Sequence, residues 1–340
     1  MKNSLVSIII LNYNGRKRLE KCLSSLKHIT FKNKEIIVVN NGSTDDSNIF
    51  LKKNYPLVKV IEIKKNKGFA GGTNIGVRAA KGMYVLLLNN DTKVTPHFLE
   101  PLVEDMDKDA TLGAVQPQIR SMTNPKLLDS VGSFFTSTGF LYHYGYMKPI
   151  TNELYKKPIY TYSIKGACVL LRRNEYLKLG GLDEDFVCYV EETDLCHRIW
   201  LSGKKVLYEP KSYMYHLGGG DMQVMTKNYV TMYRAYKNRI ISYVKNLSTI
   251  ELIKVLPLTI LFSEGFVFLT LATGKLKKAL GVQVGVIAAL LQIPQTLRKR
   301  RYIQSTLRKV NDSDIMPYIM KNPRFSYYIH FFTNPENFQD

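Results

Sequence analysis

The segment EIIVVNNGSTD, residues 35–45, joins the apolar run Ile36–Val39 to the polar cluster Asn40–Asp45. A short run without polar alternation predicts a strand covered on both faces, as in a parallel sheet. The same grammar recurs along the chain. GFAGGTN occupies residues 68–74, Asn89-Asn90-Asp91 follows VLLL, and EETD occupies residues 191–194. Open α/β sheets build their sites at the carboxyl ends of strands, so four such clusters in order can converge on one crevice.

Outward from this segment the first 120 residues alternate. Strand-like runs are expected at Val6–Leu11, Glu35–Val39, Val58–Ile63 and Tyr84–Leu88, and helical spacing at Arg16–His28, Asp45–Asn54 and Ala70–Ala80. Strands separated by 10- to 15-residue helical segments imply βαβ units. From Leu112 the texture shifts to short strands (Ala114–Ile119, Ile159–Ile164, Ala167–Arg172) with long loops, a mixed-sheet extension suited to a second substrate. A helix over Glu191–Leu201, closed by Gly203, and a strand at Val206–Tyr208 complete this part.

The four cysteines, Cys22, Cys168, Cys188 and Cys196, form no C-x-x-C pair and no zinc spacing, so reduced thiols in a cytosolic setting are expected. The first apolar stretch, Leu5–Leu11, lacks the pattern of a signal peptide and is expected as a buried strand. The formal charge of +20 is concentrated late, because residues 226–310 hold fifteen Lys and Arg against Glu251 and Glu264. The same stretch contains VLPLTILFSEGFVFLTLATG (255–274), which could just cross a bilayer core of roughly 30 Å. A second run, Ala279–Leu297, ends on Arg298-Lys299-Arg300-Arg301. A spanning hairpin would put Lys275–Lys278 on the outer face, so a re-entrant or surface-lying helix pair is favoured. A buried helical domain is the alternative, and the dense cationic flanks argue against it.

Three divisions follow: residues 1–225, a basic apolar helical region at 226–310, and a tail at 311–340. Asp91, at the end of a parallel strand, can hold a divalent cation, or can serve only as a turn residue. The 68–76 glycines can bring backbone amides to a phosphate, or merely allow close packing. Glu191, Glu192 and Asp194 favour the helix dipole, and crowded carboxylates also raise one another's pKa toward general-base duty. His216 borders a glycine run where a ligand could approach.

Together VSIIILNYNG, VVNNGSTDDS, NKGFAGGTNIG, LLLNNDTKV and GGLDEDFVCYVEETDLCHRIWLSGKKVLYEP, with His216 downstream, resemble the inverting family-2 glycosyltransferases of the GT-A fold. The style is that of rhamnosyltransferase-like members, and the resemblance covers residue 5 to about residue 220. It implies a Rossmann-like mixed sheet followed by membrane-associated helices. It implies that Asn12, Asn40 and Asp45 surround the nucleotide and that Gly71, Gly72, Asn74 and Asn89 border the donor sugar and diphosphate. Asp91 would bind Mg²⁺ or Mn²⁺, with His216 near the diphosphate or metal. Glu192 is the expected base, Glu191 the second candidate and Asp194 the third. Two departures stand out: Asn40 and Asn89 occupy positions where relatives commonly carry aspartate.

The expected activity is transfer of a sugar, rhamnose among the candidates, from a nucleoside-diphosphate donor to a lipid-linked or other glycan hydroxyl. The expected place is the cytoplasmic face of the cell membrane, on an anionic lipid surface. A non-catalytic nucleotide-sugar-binding protein of the same fold is the first rival. A nucleic-acid binder is the second, opposed by the threading of the positive charge between apolar stretches.

Overall fold

The computed structural model describes residues 4–218, 229–324 and 326–328. Its first strands and helices are β1 (Val6–Asn12), α1 (Arg16–Leu26), β2 (Lys34–Asn41), α2 (Ser47–Asn54), β3 (Lys59–Ile63), α3 (Gly68–Ala79) and β4 (Tyr84–Asn89). β1 pairs in parallel with both β2 and β4, and β2 with β3. Each crossover carries a helix, as parallel neighbours require.

These strands read as unbroken apolar runs because both faces are covered. Ile8, Ile10, Val38, Leu86 and Leu88 pack against Leu19, Cys22, Leu23 and Leu26 of α1. Ile9, Ile37, Val39, Val85 and Leu87 point to the other face, toward Val77 of α3 and Leu195. The period of two divides each strand between the two cores. A buried aliphatic such as Leu23 contributes about 1.5–3 kcal/mol, so truncation to Ala would cost about 2–5 kcal/mol.

The sheet becomes mixed beyond β4. β5 (Thr92–Val94), α4 (Leu99–Lys108) and β6 (Leu112–Ser121) are followed by β7 (Leu128–Ser130), β8 (Gly132–Phe135), β9 (Leu141–Tyr144) and β10 (Ile159–Tyr160). Then come β11 (Cys168–Arg172), α5 (Arg173–Lys178), α6 (Glu191–Leu201) and β12 (Lys205–His216). The strand order is β10-β12-β6-β11-β4-β1-β2-β3, with β5 on β12, β7 on β6, and β8-β9 as a separate hairpin. β11 runs antiparallel between β4 and β6. The strand expected at Val206–Tyr208 is longer, because pairing with β6 resumes at Tyr213 after a shift around Pro210. That extension carries His216 to the end of the sheet. The expected strand Ile159–Ile164 is short, ending at Tyr160.

The C-terminal part is helical: α7 (Tyr229–Asn246), α8 (Thr249–Ala272), α9 (Leu276–Leu291), α10 (Ile293–Tyr302), a π-turn at Ile303–Leu307, and α11 (Asp312–Ile319). α7 does not stand apart from the sheet domain. Its Lys245 reaches Asp183 at 2.5 Å and Asp194 at 3.0 Å, and its Asn246 donates to Asp194 at 2.8 Å. α9 lies close against it, since a Cβ at Gly281 or Gly285 would meet the Tyr229 or Tyr233 carbonyl oxygen at 2.5 and 2.7 Å. Much of the basic cluster is spent on folding. Arg300 and Arg308 donate to carbonyls at the end of α7, and Lys299 pairs with Asp183 and Asp185. Lys227 and the tail beyond residue 328 lie outside the described residues.

Candidate active site

β1 and β2 end side by side, with Asn12 opposite Asn40. Asn12 donates to Asn40 Oδ1 at 3.0 Å, Asn40 donates to Asn48 at 2.6 Å, and Ser43 donates to Asn40 Oδ1. Asn40 is therefore fixed as a neutral amide within a closed polar network. Asp45 accepts from the Arg16 amide at 3.1 Å and the Ser47 amide at 3.2 Å, anchoring the entry to α2. Two residues not singled out in the sequence complete this end. Asn14, at φ +46°, accepts from the Thr44 amide at 2.7 Å, and Asn90 donates to Asn12 at 2.9 Å.

The glycine segment is packed rather than open. A Cβ at Gly72 would lie 2.4 Å from Leu11 Cδ1, so Gly72 lets α3 approach the sheet. Gly71 faces Lys67 and Glu184. Asn74 is saturated: it donates to Leu182 O at 2.8 Å and to Glu184 at 3.0 Å, and accepts from Tyr176 and from the Leu182 amide. The first amides of α3, those of Phe69 and Ala70, donate to the Val187 carbonyl. Of the two readings of this segment, the contacts describe close packing.

Asp91 sits in the two-residue turn between β4 and β5, just beyond Asn89, which ends β4 half-exposed. β5 pairs with β12 so that Thr92 stands opposite His216. His216 Nε2 lies 3.4 Å from Asp91 Oδ1, while its Nδ1 is 2.8 Å from Asp129 Oδ2. Lys165 Nζ donates to Asp129 Oδ1 at 2.9 Å. Asp91 Oδ1 is buried and makes no hydrogen bond among the described residues. Burial opposes ionisation of Asp91, but His216 outweighs it and holds the carboxyl below its usual range. Burial likewise pulls the His216 pKa down, and Asp129 and Asp91 together carry it above the ordinary value. Asp129, despite burial, is held down at about 2 by Lys165 and His216.

This donor set fits a divalent cation. A buried, unsatisfied carboxylate oxygen faces an imidazole whose far nitrogen rests on a second carboxylate, a common arrangement behind metal-bound histidine. Among the described residues no three His, Cys, Asp or Glu side chains cluster as a metal site. Asp91 and His216 are the two side chains here that could act as ligands to such an ion.

α6 brings the acidic cluster. Its approach is strained, with Val187, Tyr189 and Val190 at φ +63°, +71° and +72°. Such backbone costs about 1–3 kcal/mol per residue and clusters at functional sites. Asn238 of α7 clamps it, donating to Phe186, Cys188 and Tyr189 carbonyls at 3.1, 3.1 and 2.9 Å. The three acids then diverge. Glu191 is buried, and burial followed by repulsion from Glu192 pushes its pKa well above the usual carboxylate range. Asp194 is fully buried among Arg198, Lys245 and Asn246, an anchoring position within α6. Glu192 is half-exposed and lines a small cavity with Phe69, Leu87, Gly166 and Leu195.

Glu192, Asn89 and Asp129 meet the same loop. Gly166 lies against the Glu192 carboxylate, its neighbour Lys165 holds Asp129, and the Ala167 carbonyl accepts from the Asn89 amide at 3.0 Å. Asp129, Lys165 and Asn238 carry no local sequence signal, since each acts through a partner at least 36 residues away. The four cysteines are free and buried, and burial raises Cys188 to about 11 and Cys196 to about 12, so neither is a thiolate nucleophile.

Comparison with known proteins agrees with this architecture. A poly-β-1,6-N-acetyl-D-glucosamine synthase of Staphylococcus epidermidis is 24% identical over 212 residues, 61% of this chain and 48% of that protein. This chain thus spans about half the length of that relative. GalNAc-T7, solved with UDP, GalNAc and Mn²⁺, superposes with TM-score 0.57 at 20% identity, over 71% of this chain and 48% of its own. The mannosyltransferase PcManGT of Pyrobaculum calidifontis, solved with GDP-Man and Mn²⁺, gives 0.52 at 16% identity, over 85% and 86% of the two chains. At these identities the structures establish the GT-A fold. The glycosyl transferase family 2 model matches residues 7–174, and this part of the chain is accordingly a glycosyl transferase family 2 domain.

Proposed function

We propose that this protein is an inverting, divalent-cation-dependent glycosyltransferase with Glu192 as its general base. Glu192 takes the proton of an acceptor hydroxyl as that oxygen attacks the anomeric carbon, and the bond from that carbon to the diphosphate oxygen breaks. Asp91 and His216 would hold the cation, which neutralises charge on the departing nucleoside diphosphate. Arg18, whose charge reaches Asp91, adds positive potential at the same end of the sheet. Asn12, Asn40 and Asp45 order the loops expected around the base. The carrying observation is the buried Asp91 Oδ1, without a hydrogen bond among the described residues, facing His216, with Glu192 against Gly166 of the loop that also meets Asn89 and Asp129.

The relative from Staphylococcus epidermidis is named for an N-acetylglucosamine polymer, and the structural neighbours were solved with GalNAc and GDP-Man. These names support a hexosyl or N-acetylhexosaminyl donor and give rhamnose no support. The acceptor we propose is a lipid-linked glycan at the cytoplasmic face of the cell membrane. Free buried thiols suit that compartment, and α8 supports the surface. It is 24 residues long, apolar enough to cross a bilayer, and only 33% of its most apolar stretch is buried. The α9 pair with Ile293–Leu307 bends by 61°, which suits a surface-lying or re-entrant arrangement.

The test is nucleotide release from a panel of UDP-, GDP- and dTDP-sugars with Mn²⁺ and a membrane-lipid extract. Acceptor-stimulated release from one donor, absent in Asp91→Ala and Glu192→Gln, is expected. Full turnover in Glu192→Gln would remove it from the base role. Donor binding without turnover on any acceptor would favour a binding protein instead.

A further inference from the structure

We propose that Asp129 is a positioning residue that holds His216 with the proton on Nδ1 and the Nε2 lone pair directed at Asp91. The inference rests on the reading of Asp91 and His216 as the cation-holding pair.

The sheet brings these residues together through two registers. β7 pairs with β6 so that Ser130, next to Asp129, stands opposite Ile119. β12 pairs with β6 so that His216 stands opposite Ser121. The Met122 amide donates to the His216 carbonyl at 2.8 Å and fixes that backbone. The imidazole then lies between two carboxylates, with Asp129 Oδ2 2.8 Å from Nδ1 and Asp91 Oδ1 3.4 Å from Nε2. The shorter contact decides the proton's place. A carboxylate only accepts, so Nδ1 must donate to Asp129, which leaves Nε2 free for a ligand.

Lys165 keeps that contact one-directional. Its ammonium, 2.9 Å from both oxygens of Asp129, donates only, so the carboxylate stays an acceptor toward Nδ1. An alanine at residue 129 offers Nδ1 no acceptor, so the imidazole proton is released to move to Nε2 and face Asp91. Asp129→Ala thus depletes the Nδ1–H tautomer, a change that a purely structural role for Asp129 would not produce.

Two readouts test this. Long-range ¹H–¹⁵N correlation on ¹⁵N-histidine protein, metal-free and above the imidazole's titration, reports the tautomer of His216, assigned with His216→Gln. Wild type is expected as the Nδ1–H form and Asp129→Ala with the Nε2–H form much increased. Electron paramagnetic resonance of Mn²⁺ with UDP or GDP is expected to show affinity weakened about 10- to 100-fold in Asp129→Ala. A wild-type His216 carrying its proton on Nε2 would overturn the proposal without recourse to any variant. So would an Ala variant with unchanged tautomer and unchanged Mn²⁺ affinity. If the tautomer shifts but wild type holds no Mn²⁺ with either nucleotide, Asp129 keeps its positioning role and the cation reading fails.

Discussion

The Phe69 amide donates to the Val187 carbonyl at 2.8 Å, tying the start of α3 to the strained segment that leads into α6. Gly68 makes the approach possible. It sits at φ +72°, and a Cβ there would lie 2.8 Å from Val187 O. Gly68→Ala should therefore destabilise the protein by about 1–3 kcal/mol, read as a lower urea midpoint. It should also slow transfer, because Val187–Val190 aims Glu192. An unchanged midpoint and rate would disconnect the two segments.

Glu191 and Glu192 should separate cleanly on amide substitution. The raised pKa of Glu191, from burial first and Glu192 second, favours its protonated form. Gln mimics that neutral acid, so Glu191→Gln should retain turnover within a few-fold. Glu192→Gln removes the accepting carboxylate and should lower turnover about 10²- to 10⁴-fold. The stability sign is also fixed. With a folded pKa above the unfolded one, Glu191 binds its proton more tightly in the native state. Its contribution is fully present below the ordinary carboxylate range and is lost as pH rises through the folded value. Wild type should lose stability relative to Glu191→Gln as pH is raised over that interval. Parallel curves would show that Glu191 ionises freely.

The parallel strands were legible because burial on both faces leaves unbroken apolar runs such as Ile36–Val39. The bounds of α6, Glu191–Leu201, were legible from acids at one end and Gly203 beyond the other. β12 was underread because Pro210 interrupts its pattern, although pairing with β6 resumes beyond it. Asp129 was invisible for a different reason. Its meaning lies in a contact across 87 residues, and nothing in Leu128-Asp129-Ser130 records it. The Gly71, Gly72 and Asn74 cluster was conspicuous in sequence, but its contacts are those of helix packing, which demands small residues as strictly as a ligand does. His216 was found through the glycines after it, of which those at 219 and 220 lie outside the described residues.

Lys245 should prove costly to remove. Its ammonium, 3% exposed, is shared by Asp183 and Asp194, so Lys245→Met strands two buried carboxylates. Arg198 still holds Asp194 at 2.9 Å and Lys299 still holds Asp183 at 2.6 Å, which places the loss near the low end for a broken buried pair, about 3 kcal/mol. Both carboxyls are held below their usual pKa, against burial, by Lys245 with Arg198 or Lys299. That stabilisation is present above the unfolded carboxylate pKa and is lost as pH falls through the folded values. The gap between wild type and Lys245→Met should therefore narrow on acidification. A gap that widened would mean that the lysine acts through packing alone.

The outer face of α8 should bind lipid. The inner face consists of Val255, Thr259, Ser263, Phe266 and Thr270, and its hydroxyls are satisfied by carbonyls one turn back in the same helix. The opposite face leaves Ile253, Leu261 and Phe268 exposed at 68%, 65% and 75%. Three large apolar residues at helical spacing, facing outward, indicate a surface other than water. Lys277, Arg298 and Arg301 of the two following helices are exposed, each worth about 1 kcal/mol toward an anionic headgroup layer that it reaches. In flotation, wild type should rise with phosphatidylglycerol vesicles more than with phosphatidylcholine, and added salt should reduce the difference. Leu261→Asp with Phe268→Asp should stay at the bottom of the gradient while binding nucleotide as before, since neither residue is near the strand ends. If wild type ignores both lipids and the double variant converts an oligomer to a monomer, the face is a contact between copies, and the acceptor must be sought in solution.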